Sequence, residues 1–217
     1  MNIEQVRFNM IEQQIRPWDV LNQTVLDLLV QVKREDFVPA QYSTLAFVDM
    51  EIPLGHDEVM MSPKLEARIL QEVAVQPTDT VLEIGTGSGY LTALLSHLAK
   101  RVYSVDIISD FKMQAHAKLA AHGIKNVNLE TGDAAKGWSK HGKYDVIIVT
   151  GSLPVLPEAM LKDLNIGGRL FAITGDAPAM SAQLITCMGE GSYNTVTLFE
   201  TNIKPLKNAL QPERFVF

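Results

Sequence analysis

The sequence predicts an α/β fold built on a mostly parallel sheet, and three observations carry that prediction. From Thr80 onward, short β-rich runs alternate with helical patterns, which is the signature of βαβ units. The first of these runs, TVLEIG, passes through a glycine-rich turn into a helix, the place where an open α/β sheet binds its ligand. Two last strand-like runs, QLITCMG and TVTLFETNI, flank a turn at Glu190 to Asn194 and predict an antiparallel hairpin at the end of the sheet.

The elements follow in order. Ile3, Val6, Met10 and Ile11 recur at helical spacing with Glu4, Arg7 and Glu12 off the stripe, so the chain opens with an amphipathic helix that Pro17 ends. A second helix carries Val25, Leu28, Leu29 and Val32, with Asn22 as its N-cap, before a turn at Pro39. Residues 40–61 have no clean period and read as a loop-rich segment, the kind that often carries function. Ser62 and Pro63 then announce a helix through Leu65, Ile69 and Val73, with serine as N-cap and proline at the first helical position. Beyond TVLEIG come a helix striped by Leu91, Leu94, Leu95 and Leu98, the strand RVYSVD, and a helix FKMQAHAKLAAHG closed by Gly123. The strands VNLETGD and YDVIIVTG follow, then a helix starting at Pro157 and the strand RLFAIT after Gly167 and Gly168.

Length and composition set the frame. A chain of 217 residues with 47% apolar side chains can bury a core without disulfides or a structural metal. It reads as one domain, with residues 1–61 a helical and loop extension and residues 62–217 the ligand-binding core. Nineteen basic against 25 acidic side chains give a net charge of −6, which disfavours a nucleic-acid partner. Neither a signal peptide nor an apolar run long enough for a membrane span is present, so the chain reads as cytoplasmic. The lone Cys187, among apolar neighbours, reads as a buried small hydrophobe. His97, His116, His122 and His141 read as solvated surface, and no spacing suggests a metal site.

The glycine loop, Gly85-Thr86-Gly87-Ser88-Gly89, allows a tight turn and a close approach of backbone to ligand. Asp106 ends the next strand, where an acid hydrogen-bonds ribose hydroxyls. A dinucleotide fingerprint wants glycine or alanine at position 90, and Tyr90 stands there, so NAD and FAD are disfavoured. Glu83 places a carboxylate two residues before the glycines, which suits a cationic ligand better than a diphosphate.

Together, VLEIGTGSGYLTALLSHLAKRVYSVD resembles the first motif of class I S-adenosylmethionine-dependent methyltransferases. The finer resemblance is to the protein-L-isoaspartate O-methyltransferase family, through REDFVP, AFVDMEIPLG, GDAAKGW, KYDVIIVTGSLPVLP and LNIGGRLFAITG in that order. The resemblance implies a Rossmann-like, three-layer αβα sandwich with a seven-stranded sheet. It implies carboxyl methylation of isoaspartyl residues in damaged proteins, with S-adenosyl-L-methionine as cofactor. In its terms Glu83, Gly85, Thr86, Gly87 and Gly89 surround the methionine half, Asp106 takes the ribose, and Asp133 and Ala134 lie along the adenine. Two alternatives stay open: Asp133 as a helix N-cap, and Trp138 as either cofactor shield or core.

The chain departs from that family in the acceptor loop, which usually reads glycine, glutamine, threonine, isoleucine, serine, one residue, then proline or alanine. Here Asp57-Glu58-Val59-Met60-Met61-Ser62-Pro63 puts Glu58 at the glutamine, Val59 at the threonine and Met61 at the serine, with Ser62 one place late and spent as a cap. A carboxylate acceptor is already ionised at neutral pH and needs no base, so the lost hydroxyl does not by itself abolish transfer. Asp57 and Glu58 oppose an anionic acceptor if they lie near it, the alternative being that they simply face water. Two other readings follow: a methyltransferase for a neutral or cationic acceptor, with His56 as a base, or a non-catalytic cofactor-binding module using Met60 and Met61 as an adaptable contact surface.

Overall fold

The computed structural model describes residues 2–213; the predicted domain also takes in residue 1 and residues 214–217, which lie outside the described residues. Helix α1 (Ile3–Met10) runs on through a π-turn, Ile11–Ile15, into a 3-10 turn, Arg16–Trp18, that contains Pro17. Helix α2 (Gln23–Gln31) is capped as predicted: the Asn22 side chain accepts from the Val25 amide at 3.2 Å. The segment read as loop is more ordered than expected. It holds a 3-10 stretch, Ala40–Leu45, and an antiparallel hairpin of β1 (Ile52–Gly55) and β2 (Glu58–Met60). Strands of four and three residues are too short to show a period, and the turn between them places both His56 and Asp57 in the left-handed region, at φ 53° and 61°. Helix α3 (Pro63–Val73) starts where Ser62 and Pro63 predict, but the Ser62 side chain makes no capping hydrogen bond.

The main sheet follows the predicted alternation: β3 (Thr80–Ile84), α4 (Tyr90–Leu98), β4 (Arg101–Asp106), α5 (Ser109–Ala121), β5 (Val127–Thr131), β6 (Tyr144–Leu153), α6 (Glu158–Lys162), β7 (Leu164–Thr174), β8 (Met180–Gly189) and β9 (Ser192–Thr201). Its seven strands lie in the order β5-β4-β3-β6-β7-β8-β9. Pairing is parallel from β5 to β7, and β8 and β9 add antiparallel as the hairpin. Strand β7 starts five residues before the predicted RLFAIT, because its first residue, Leu164, already pairs with Tyr144 ahead of an irregularity that absorbs the two glycines.

Both faces of the central strands are buried, which is why they read as continuous apolar runs. Val81, Val102, Val146 and Ile148 pack against α2, α3 and α4, in one cluster with Met10, Phe37, Ile52 and Met61 from the first part of the chain. Leu82, Ile84, Val105, Ile147 and Val149 face the other way, onto Met160 of α6 and the segments carrying Trp138 and Leu206. Each such fully buried side chain contributes roughly 1.5–3 kcal/mol relative to exposure. The second layer is thin, since α6 has only five residues. The strand order changes direction beside β3, with β4 on one side and β6 on the other, and the crevice at its carboxyl end is where such sheets bind ligands.

Candidate functional site

The glycine loop leaves β3 in a conformation that side chains oppose. Gly85 has φ 101°, and a β-carbon there would lie 2.1 Å from Oγ1 of Thr150. Thr150 sits in a bulge of β6, between the pairs Ile148 with Phe171 and Ser152 with Ile173. The bulge aims its hydroxyl at the loop, where it donates to the carbonyls of Ile84 and Gly85 at 2.9 Å each. Across the turn, Asp106 accepts from the Gly87 amide with one carboxylate oxygen and from the Ile108 amide with the other, both at 2.9 Å. Burial raises the Asp106 pKa, while the amides of Gly87 and Ile108 work against that rise.

Gly85, Gly87, Asp106, Asp133 and Ala134 line one cleft of about 780 Å³, mouth included, along the carboxyl ends of β3, β4, β5 and β6. Gly89 is not among its walls. At φ 82° it starts α4, and a β-carbon there would lie 2.9 Å from that of Ala115 in α5, so its small size serves helix packing rather than ligand contact. No helix begins at Asp133; its side chain instead accepts from the Ala135 amide at 3.0 Å and from Nδ2 of Asn208 at 2.9 Å. Trp138 lies behind Gly132, where a β-carbon would meet its ring at 2.4 Å, and joins the core, so it supports the cleft floor without facing the cleft.

Glu83, below the loop, and Thr86, within it, lie on the wall of a smaller adjoining cavity of about 320 Å³. The Glu83 carboxyl is fully buried; one oxygen accepts from the hydroxyls of Thr92 and Ser104, the latter at 2.6 Å. Thr86 shares the Ser104 hydroxyl at 2.6 Å. Among the described residues the other oxygen of Glu83 has no hydrogen-bond partner. Burial is the main cause pushing Glu83 up to about 8; the two hydroxyls oppose it and the charges of Asp106 and Glu66 add to it.

Arg34, Glu66 and Tyr90 complete this buried polar floor. Arg34 donates to the Glu66 carboxylate, to the Ala46 carbonyl at 3.0 Å and to the Met61 carbonyl at 2.7 Å, and its guanidinium lies 5.2 Å from the centre of the Tyr90 ring. Burial outweighs Arg34 and raises the Glu66 pKa. The sequence offers one faint signal for this cluster: Glu66 interrupts the apolar stripe of α3 between Leu65 and Ile69.

The acceptor-loop residues separate. Met61 lines both cavities and Met60 the smaller one, and both are buried, so neither presents an exposed contact surface. Ser62 lines neither cavity. His56 points away, pairing with Asp110 at 2.9 Å and standing edge-on to Phe111, so it is not placed to act as a base in the cleft. Asp57 and Glu58 are not bare charges. Lys204 meets the Asp57 carboxylate at 2.7 Å and also donates to its carbonyl, and Lys207 meets Glu58 at 2.7 Å, with Lys204 3.5 Å from it. The Lys204 hydrogen bond holds the Asp57 carboxyl below its ordinary range and raises the lysine in return. These two lysines were invisible to local reasoning, because Lys204 lies 147 positions from Asp57.

The tail reaches the hairpin by adding to β6. Ser152 donates its amide to the Lys204 carbonyl, and Leu206 donates to the Ser152 carbonyl, each at 3.0 Å. Gly151 makes the crossing possible, since a β-carbon there would lie 2.9 Å from the Leu206 side chain and 3.0 Å from its amide. Among the remaining histidines, His97, His116 and His122 are exposed as expected, His122 also stacking on Phe37 at 5.1 Å, whereas His141 is half-buried and stacks on Tyr103 at 4.2 Å; His122 and His141 are each also paired with an acid. None of them lines the cleft. Cys187 is buried, as its neighbours predict.

Comparison with known proteins places this geometry among relatives. A family profile described as protein-L-isoaspartate(D-aspartate) O-methyltransferase matches residues 5–208. A protein-L-isoaspartate O-methyltransferase of Synechococcus sp. is 33% identical over 210 residues, covering 97% of this chain and 84% of the relative. One of Yersinia enterocolitica is 36% identical over 182 residues, covering 84% and 86%. Among solved structures, a Plasmodium falciparum protein described as a protein-L-isoaspartate O-methyltransferase, in complex with S-adenosyl-L-homocysteine, shares the fold with a TM-score of 0.79 at 18% identity, over 95% of this chain and 98% of that one. No helix among the described residues is long and apolar enough to cross a membrane.

Proposed function

The chain belongs to the protein-L-isoaspartate(D-aspartate) O-methyltransferase family, and from that premise we propose that it methylates the free carboxylate of isoaspartyl residues in proteins or peptides, using S-adenosyl-L-methionine. The observation that carries the reading is a cleft whose floor is the glycine loop and Asp106 and whose mouth lies between the β1–β2 hairpin and the tail, so that a nucleoside-bearing donor and a carboxylate acceptor have adjoining places.

The residues present fit the donor. Gly85 and Gly87 present bare backbone to the cleft, and Asp106 lines it from the end of β4, where it would take the ribose. Asp133 and Ala134 line the cleft beyond β5, where they would border the adenine. The unpartnered oxygen of Glu83, beside the glycine loop, suits the ammonium of the methionine half. When bound, the donor supplies an electrophilic methyl on a sulfonium; the methyl–sulfur bond breaks as the methyl–oxygen bond forms, leaving a neutral thioether. No proton moves, because the acceptor is ionised at neutral pH. The chain's own part is therefore to orient and desolvate. Val59, Met61 and Leu54 form an apolar wall at the hairpin side, and holding two reactants in line supplies up to about 7–11 kcal/mol of the barrier.

The buried Met60 and Met61 weigh against a purely contact-making module, and the lysine pairing of Glu58 weighs against a cationic acceptor. A reducing compartment, the cytoplasm, suits the lone buried thiol of Cys187. The test is transfer of labelled methyl to an isoaspartyl peptide and to its normal aspartyl twin. Label on the isoaspartyl peptide alone supports the reading; no label from a chain that binds S-adenosylhomocysteine overturns it.

A further inference from the structure

We propose that Lys207 and Lys204 hold the acceptor carboxylate, and that Glu58 and Asp57 occupy those two cations until the acceptor displaces them. The inference rests on the proposed methylation of a carboxylate and assigns the groups that recognise it.

The donors available in the cleft point to the lysines. Lys204 and Lys207 are the only cationic side chains among the described residues that line it. The hairpin wall contributes Leu54, Val59 and Met61, none of which donates a hydrogen bond from its side chain. The one hydroxyl facing the space, that of Thr150, is committed to the carbonyls of Ile84 and Gly85. A carboxylate brought in from water without a partner is strongly disfavoured, so a cation at the mouth is what makes the site habitable for it.

The geometry also permits the exchange. The tail backbone is fixed on β6 through Ser152, so only the lysine stems need to swing, and four-carbon stems do so readily. Solvent reaches the lysine side of these pairs, with side-chain exposures of 34% for Lys204 and 41% for Lys207 against 22% for Glu58, whose pairing oxygen Oε1 is itself buried. An incoming carboxylate therefore enters from the solvated side of the two ammonium groups and takes over the charge pairing that Glu58 gives them. One of its oxygens rests on the ammonium while the other faces the donor.

The two partners of one ion pair give the discriminating test. With the protein saturated with S-adenosylhomocysteine, the dissociation constant of a fluorescent isoaspartyl peptide is measured for the wild type, Lys207→Gln, Lys207→Arg and Glu58→Gln, with thermal melts to check folding. The expected result is at least tenfold weaker binding for Lys207→Gln, near recovery for Lys207→Arg, and severalfold tighter binding for Glu58→Gln, which removes the competitor. A pair that merely clasps the hairpin to the tail is broken from either side alike. Shifts of the same sign in Lys207→Gln and Glu58→Gln overturn the inference even if the wild type methylates the peptide. Opposite shifts without any methyl transfer support the inference and sink the methylation reading instead. A wild type that neither binds nor labels the peptide overturns both.

Discussion

Arg34 and Glu66, both almost completely buried, form an ion pair beneath the hairpin, and the same guanidinium holds the carbonyl of Met61 at 2.7 Å. Three segments distant in sequence thus converge on one cation: the 3-10 turn at 34–36, the residue that follows β2, and the first turn of α3.

Removing one partner of this pair strands the other charge. Arg34→Met is expected to lower stability by about 3–5 kcal/mol, as is usual when a buried ion pair is broken from one side. Arg34→Met combined with Glu66→Leu should recover most of the loss, less whatever the orphaned carbonyls of Ala46 and Met61 contribute. Urea denaturation of the wild type and the two variants checks this, and a double variant no more stable than Arg34→Met would refute it.

Gly85→Ala faces two obstacles. The new methyl would sit 2.1 Å from the Thr150 hydroxyl, and the backbone would remain at φ 101°. The expected outcome is a loss of roughly 1–3 kcal/mol of stability and at least tenfold weaker binding of S-adenosylhomocysteine. Adding Thr150→Ala removes the clash but not the strain, so calorimetry should show partial rescue only.

Glu83 makes stability depend on pH in an unusual direction. Its carboxyl titrates near 4.5 when unfolded and at about 8 when folded without ligand, so the folded state keeps a proton that the unfolded state has released. Stability is greatest below pH 4.5 as far as this group is concerned, and it falls as pH rises towards 8 at a limiting slope of about 1.4 kcal/mol per unit. Glu83→Gln should flatten that decline between pH 5 and pH 8. Equal slopes for wild type and variant in melts across this window would count against the assignment.

Asp106→Ala removes the acceptor of both loop amides, Gly87 and Ile108. The dissociation constant of S-adenosylhomocysteine should rise about 10–100-fold, corresponding to roughly 1.4–2.7 kcal/mol in all. Asp106→Asn, which keeps one acceptor oxygen, should fall between. Unchanged affinity in the alanine variant would remove Asp106 from the site.

The contrast between what was and was not readable in the sequence follows from range. TVLEIG and the glycines after it announce a strand, a turn and a helix, because each signal is local and strong, and the seven strands appear where the β-rich runs stand. The hairpin at 52–60 was hidden because its strands are too short for periodicity and its turn uses His56 and Asp57 at positive φ instead of glycine. Gly89 carries the same residue type as Gly85 yet serves the packing of α4 on α5, a distinction that only the position of Ala115 reveals. The charges of Asp57 and Glu58 looked unopposed because their lysines come from the tail. Arg34 lay off every apolar pattern, and only the fold shows that it is buried.

The tail that crosses Gly151 has a bearing on biogenesis. The glycine loop, Asp106 and Thr150 have all been synthesised by residue 150, but the wall formed by Ile203 to Lys207 has not. The residues of the cleft floor are thus all in hand well before those of the wall that closes the site. At ordinary elongation rates of about 5–20 residues per second, several seconds separate the two events. The wall that closes the cleft is thus the last of its parts to be made.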